Sequence, residues 1–211
     1  MRHSVATART GIRVTTSLRL CLLLACVASV PTGARADWKP VEKVETYAIS
    51  GKSGPALYAS IGERGPKIGK SRTIAYTDFK LTWSRKYERQ GNACVLVTAV
   101  PKLVITYRLP KPSQQLPAAI ARNWQTFITG VSNHEKVHGG TIKDMVRKIE
   151  AATVGLTVPG DPDCRKIKTE MTKRLSELSQ AQRQQSRDFD QAEMSNGGNI
   201  HQLILGLVNG G

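Results

Sequence analysis

The stretch SNHEKVHGG, residues 132–140, contains His134, Glu135 and His138, a match to H-E-x-x-H. With four histidines in 211 residues, chance gives this pattern in roughly three chains per thousand of this length and composition. Four residues advance an α-helix by about 400°, so the two imidazoles project from one face, a turn apart. That arrangement suits two corners of a zinc tetrahedron. Glu135, about 100° round the same helix, is badly placed to ligate the ion but can reach a water on it and take the proton. The spacing therefore offers two Zn2+ ligands and a general base on one rigid element.

A third ligand is needed, and the sequence leaves it open. A metzincin extension would require glycine at Thr141 and histidine at Asp144, and neither is present. On an unbroken helix Asp144 points about 240° away from His138. The other route is an acid on a downstream helix packed antiparallel, as in thermolysin-like enzymes. Asp190, Glu193, Glu170 and Glu177 are the candidates, and His201 in the tail is a further one. Asp190 stands first, because it follows Phe189 shortly before the polar helix gives way to SNGGN, where a side chain can turn back. Gly139 and Gly140 each cost about 1 kcal/mol in a helix interior relative to alanine. They mark either a close approach by strand, loop or substrate, or a local kink.

These residues need a scaffold. Between Trp38 and Leu109 the signals are of strands, a mostly antiparallel sheet over residues 41–109. VEKVETYAI alternates loosely, ALYASI (56–61) is a short apolar run after Gly54-Pro55, and Thr73–Tyr87 places Ile74, Tyr76, Phe79, Leu81 and Trp83 in near period-two order. Cys94–Leu109 is rich in β-branched residues, with Pro101 marking an edge or a bulge. LPKPSQQLP (109–117) ends the sheet, and Pro117 suits a first helical turn.

Helices are expected over 117–211. Ile120, Trp124, Phe127, Ile128, Val131, Glu135, His138, Ile142, Met145, Val146 and Ile149 form one helical stripe. Ser132 and Glu135 can instead act as a capping box that restarts the helix after a break near Gly130. A polar helix follows from about Asp163 to Phe189, with Ile167, Met171, Leu175 and Leu178 as its thin apolar stripe, and Asn199–Val208 reads as a short closing helix. The fold class is α+β: a small sheet, a long active-site helix and a second packed helix, a zincin-like arrangement in one domain spanning 37–211.

The N-terminus reads as a secretory signal. Arg2, Arg9, Arg13 and Arg19 precede the apolar run Leu20–Val30, no acid occurs before Asp37, and Ala34-Arg35-Ala36 offers small residues for cleavage after Ala36. The run is too short for a permanent membrane span; a lipoprotein ending at Cys26 is the weaker reading. Cleavage leaves Cys94 and Cys164, which an exporting compartment favours as a disulfide. That bridge closes a loop of about 70 residues, worth roughly 4 kcal/mol in the chain-entropy model. Five of the 31 Lys and Arg leave with the leader, so 26 face 16 acids, a net charge of +10. Such a surface can lean on anionic envelope polymers or headgroups. With 5% aromatics and no basic patch that interleaves them, nucleic acid is not an expected partner.

Taken together, Cys94, Leu109-Pro110, Trp124-x-x-Phe127, His134-Glu135, His138, Cys164, Phe189-Asp190, Glu193 and Gly197-Gly198-Asn199 resemble the bacterial family called domain of unknown function 922. Its members are described as predicted secreted zinc-dependent proteases of the H-E-x-x-H clan. The resemblance covers essentially the mature chain and implies that Asp190 or Glu193 belongs to the active site. Some relatives carry histidine-glycine shortly after the aspartate; Met194-Ser195-Asn196 stands there in this chain, so no histidine ligand is available at that point. The expected function is an exported zinc metallopeptidase acting on a peptide or protein, with Glu135 as base and His134, His138 and Asp190 on the metal. An inactive, zinc-stabilised envelope binding protein of peptidase ancestry is the alternative.

Overall fold

The computed structural model describes residues 37–210. The proposed leader and its cleavage point at Ala36 lie outside the described residues.

Strand β5 (Ala93–Pro112) is the spine of the sheet. Strand β4 (Tyr76–Gln90) pairs with it antiparallel along almost its whole length. On the other side, β1 (Val41–Ile49) runs parallel to residues 104–112 and β6 (Thr157–Pro159) antiparallel to residues 93–95. The sheet is therefore mixed, with the parallel β1–β5 pair as the exception to antiparallel order. Along β5 the buried residues Ala99, Leu103, Ile105, Tyr107 and Leu109 share odd parity, whereas Cys94 and Leu96 share even parity. The two runs meet at a register shift opposite Lys86/Tyr87, where Val97 is the extra residue. One bulge residue moves the pleat by one and keeps both runs facing the helices. Pro101 lies not at this bulge but in the stretch of β5 between β6 and β1, where β4 is the only neighbour.

The polar helix runs on to Met194 rather than ending at Phe189, and two further stretches differ from the sequence reading. Residues 56–61 are not a strand but part of helix α1 (Gly54–Arg64). Ser53 caps it by accepting from the Ala56 amide, Pro55 sits in the first turn, and Leu57, Ser60 and Ile61 bury one side. Gly54-Pro55 thus opens a helix rather than preceding a strand. Strand β5 also continues past Leu109 to Pro112. Beyond Arg108 it has β1 as its only partner, so two prolines of one parity fit its open side without breaking a ladder. A two-residue hairpin ladder, β2 (Lys67–Ile68) with β3 (Ser71–Arg72), links α1 to β4.

Helix α2 (Ala118–Thr153) is unbroken over 36 residues, without a restart near Gly130. Its apolar stripe packs into two clusters. The N-terminal one joins Trp124, Phe127 and Val131 to α1, Ile49 and Ile200; the C-terminal one joins Ile142, Met145, Val146 and Ile149 to Leu103, Ile105 and Tyr107. The histidines fall between them. Helix α3 (Lys166–Met194) lies antiparallel on α2, as the contacts of Arg174 with Ala152, Gln182 with Thr141 and Asp190 with His134 show. Both Asp161 carboxylate oxygens cap its start, accepting from the amides of Arg165, Lys166 and Ile167. Helix α4 (Asn199–Asn209) closes the N-terminal cluster. Cys94 and Cys164 are disulfide-bonded, tying β5 to the approach to α3. Among the described residues no helix is long and apolar enough to cross a membrane.

Candidate metal centre

His134 and His138 project from α2 as helical geometry demands, their rings 4.8 Å apart and edge-on. Phe189 of α3 stacks on the His134 ring at 4.7 Å and meets the His138 ring edge-on at 5.4 Å. The next residue, Asp190, presents Oδ1 to both imidazoles. The three atoms form a nearly equilateral triangle: His134 Nε2 to His138 Nε2 3.1 Å, His134 Nε2 to Asp190 Oδ1 3.1 Å, and His138 Nε2 to Asp190 Oδ1 2.9 Å. Among the described residues this group can hold a metal ion. Asp190 does not turn back from a helix end. It stands four residues inside α3, on the face applied to α2, and Phe189 fixes its approach.

The remaining nitrogen of His134, Nδ1, is buried without a hydrogen bond, and its nearest acid is Glu193 Oε2 at 3.7 Å. Glu193 in turn accepts from Asn199 at the start of α4. It therefore sits behind the imidazole, outside the three-atom group. Other candidates are also placed elsewhere. Asp144 pairs with Arg147, Glu170 with Arg174, Glu177 is exposed, and His201 Nδ1 accepts from the Gly197 amide.

Glu135 is 5% exposed and points to the sheet side of the cluster. The Thr77 hydroxyl, on β4, lies 2.5 Å from Glu135 Oε2 and 3.1 Å from the Glu135 carbonyl oxygen. Burial is the main cause of a raised Glu135 pKa, and Thr77 and the two histidines only partly offset it. Asp190 goes the other way. Burial alone would raise it, but hydrogen bonds from His134 and His138 hold it well below the usual carboxylate range. His134 is lifted: burial opposes its charged form, yet Asp190, Glu135 and Glu193 outweigh that. Two acids far apart in sequence thus meet one histidine pair with opposite proton affinities.

The family profile described as "Bacterial protein of unknown function (DUF922)" matches residues 44–198. The chain belongs to the DUF922 family. No curated protein and no solved structure shows significant similarity to it. The stretch matched runs from the middle of β1 past the end of α3 to residue 198, so in this DUF922 chain it holds all three members of the histidine–aspartate group.

The glycine pair separates into two cases. A Cβ on Gly139 would lie 2.1 Å from the Tyr107 hydroxyl and about 3 Å from its ring, whereas one on Gly140 would meet nothing within 4 Å. Gly139 is thus where strand β5 comes close to α2, with Tyr107 itself held by Glu42. Gly139→Ala is expected to cost about 1–3 kcal/mol from overpacking, reduced by up to about 1 kcal/mol of helix propensity. Gly140→Ala gains that propensity without the clash. The Gly139→Ala melt should lie below that of Gly140→Ala, and a Gly139→Ala protein stabilised as much as Gly140→Ala would refute the close-packing account.

The triangle opens into a cavity of about 710 Å³ between β4 and α3. Residues 73–79 form one wall and α3 from Gln182 to Met194 the other. Ile68, Phe79 and Met194, each among the exposed large hydrophobics, line it. Sequence reasoning did not find Thr77 or the α3 wall. Thr77 belongs to no motif, and its role depends on how β4 docks on α2. The polar face of α3 reads as solvated charge until a second wall is known.

Proposed function

We propose that this DUF922 protein is a zinc-dependent metallopeptidase, the observation carrying the reading being the His134–His138–Asp190 triangle with Glu135 beside it at the floor of an open cleft. The donor set fits zinc. Edges of a tetrahedral N,N,O site with bonds near 2.1 Å are about 3.4 Å, within about half an ångström of the 2.9–3.1 Å separations found here. Two imidazoles and one carboxylate leave a corner free, as hydrolytic sites require and closed structural sites do not. The orphaned Nδ1 of His134 fits as well. With Nε2 given to an ion, the ring proton sits on Nδ1, and Glu193, 3.7 Å away, is the carboxylate nearest to it.

Zinc held there would polarise a peptide carbonyl and acidify a water at the free corner. Glu135 would accept that proton on its carboxylate and return it to the departing amine, a role that its raised pKa favours. Thr77 fixes the rotamer by pinning Oε2. The unpaired edge of β4 from Tyr76 to Phe79 lies in the cleft wall, so an extended substrate can add to the sheet by backbone pairing. The zincin-like arrangement of sheet, active-site helix and following helix accords with this reading. Export accords with the Cys94–Cys164 disulfide.

Equilibrium dialysis is expected to find one zinc per chain in the parent and none in a His134→Ala, His138→Ala double variant. Uptake should weaken as pH falls, because protons compete for the donors and His134 holds its proton above the ordinary imidazole range. Cleavage of denatured casein should require zinc and cease with chelator. Zinc bound equally by the double variant would end the proposal. The rival reading, a binding protein with a closed metal site, predicts stoichiometric zinc with no cleavage and no response to a hydroxamate.

A further inference from the structure

Helix α3 faces the cleft with Gln182, Arg183, Ser186, Arg187, Asp190 and Gln191. Their spacing is that of one helical stripe, so Arg187 and Arg183 precede the metal-side aspartate by about 4.5 and 10.5 Å along the axis. The cavity's carboxylates are already engaged. Glu135 is hydrogen-bonded by Thr77, Asp190 lies against both imidazoles, and Asp78 accepts from the Phe79 amide and faces Arg108. The two arginines are not. Among the described residues Arg183 makes no ion pair or side-chain hydrogen bond, and Arg187 donates to the side-chain oxygen of Gln184 alone. The stretch of the α3 wall around Arg183 and Arg187 is therefore positive where a ligand would lie, the side chains beside them in the cleft being the neutral Gln182, Ser186 and Gln191. Apolar Phe79 and Met194 complete its rim.

We propose, on the peptidase reading above, that this cleft selects acidic peptide segments, with Arg183 and Arg187 holding an Asp or Glu side chain two or three residues from the bond cleaved. The distance follows from strand geometry. An extended peptide rises about 3.3 Å per residue, so side chains two and three residues from the reacting carbonyl pass opposite guanidiniums about 5–10 Å along α3. Arginine's planar fork grips a carboxylate with two parallel hydrogen bonds. The place of the acid away from the cleaved bond follows from where the arginines stand, one and two turns along α3 from Asp190. Apolar side chains beside the scissile bond then meet Phe79 and Met194.

The test uses zinc-loaded protein and quenched fluorescent peptides of one apolar core sequence, with Glu, Gln or Lys placed singly at each of three positions on either side of the cleaved bond. At one position Glu is expected to exceed Gln by about tenfold in kcat/KM, the scale of one charge-assisted contact. The preference should shrink as salt rises. In Arg183→Gln, Arg187→Gln the Glu-to-Gln ratio should fall to about one, and in Arg183→Glu, Arg187→Glu the Lys peptide should overtake. Fluorescence anisotropy of the same sequences carrying a fluorophore without quencher, on zinc-loaded Glu135→Gln protein, gives an activity-free readout, with the same tenfold order expected in Kd. Binding that follows the arginines without any cleavage by the parent would overturn the peptidase reading and keep the acidic selectivity. A Glu-to-Gln ratio near one in the parent, or one unchanged in both double variants, would overturn the selectivity itself.

Discussion

Glu135→Gln is expected to retain one zinc per chain and to lose at least about 100-fold in kcat/KM for peptide cleavage, the range a positioned general base supplies being about 10²–10⁴. Glutamine has the same shape and still accepts from the Thr77 hydroxyl at the position of Oε2, but it cannot take a proton. His134, His138 and Asp190 do not touch the change in their own three-atom group. The fold should not suffer, and the sign can be worked out. Burial raises the Glu135 pKa in the folded chain, so its contribution is greatest below the unfolded value and declines as pH rises through the window up to the raised folded value. At neutral pH the ionised side chain is therefore a penalty in the metal-free protein, which a neutral amide avoids. The metal-free variant should melt no lower than the metal-free parent above the usual glutamate range. Activity and stability are thus expected to separate at one residue. Full cleavage by this variant would remove Glu135 from the chemistry, whatever the metal content.

Such a separation also explains which parts of the site were legible in the sequence. His134, Glu135 and His138 are bound by helical spacing alone, and the stripe from Ile120 to Ile149 supplies that helix without tertiary information. The Cys94–Cys164 bond was legible from the number of cysteines left after the expected leader. Asp190 was a candidate among several, because its role depends on the register in which α3 lies on α2, and Phe189 stacking on His134 sets that register. Glu193, one turn further along α3, is carried behind the imidazole by the same register. Thr77, Arg183 and Arg187 carry no local signal; each gains meaning from the wall it faces. The 56–61 segment misled for a different reason. Six apolar-rich residues fit either period, and Ser53-Gly54-Pro55 serves a helix start as well as a turn. The parallel pairing of β1 with β5 was hidden too, since chain order favours hairpins and this pair needs α1 and β4 to intervene.

Cys94→Ser with Cys164→Ser is expected to remove about 2–4 kcal/mol of stability, lowering Tm by roughly 5–15 °C for a domain of this size. The cross-link closes a loop of 70 residues that includes all of α2, so the unlinked chain regains much conformational freedom when unfolded. One local effect works against this. Cys164 has φ +55°, a left-handed backbone that costs an ordinary residue on the order of 1 kcal/mol, and the reduced chain can relax there. Asp161 limits that relaxation, because its carboxylate still caps Arg165, Lys166 and Ile167. The consequence for the metal centre is small. Asp190 lies far beyond Cys164, about 36 Å along α3 from its first residue Lys166, and the antiparallel contacts of Leu175 and Leu178 with the C-terminal cluster and of Gln182 with Thr141 stand between them. Zinc affinity at 25 °C should therefore stay within a few-fold of the parent while the melting point drops. If the double serine variant instead lost zinc at unchanged Tm, α3 would not be the rigid carrier of Asp190 that these contacts describe.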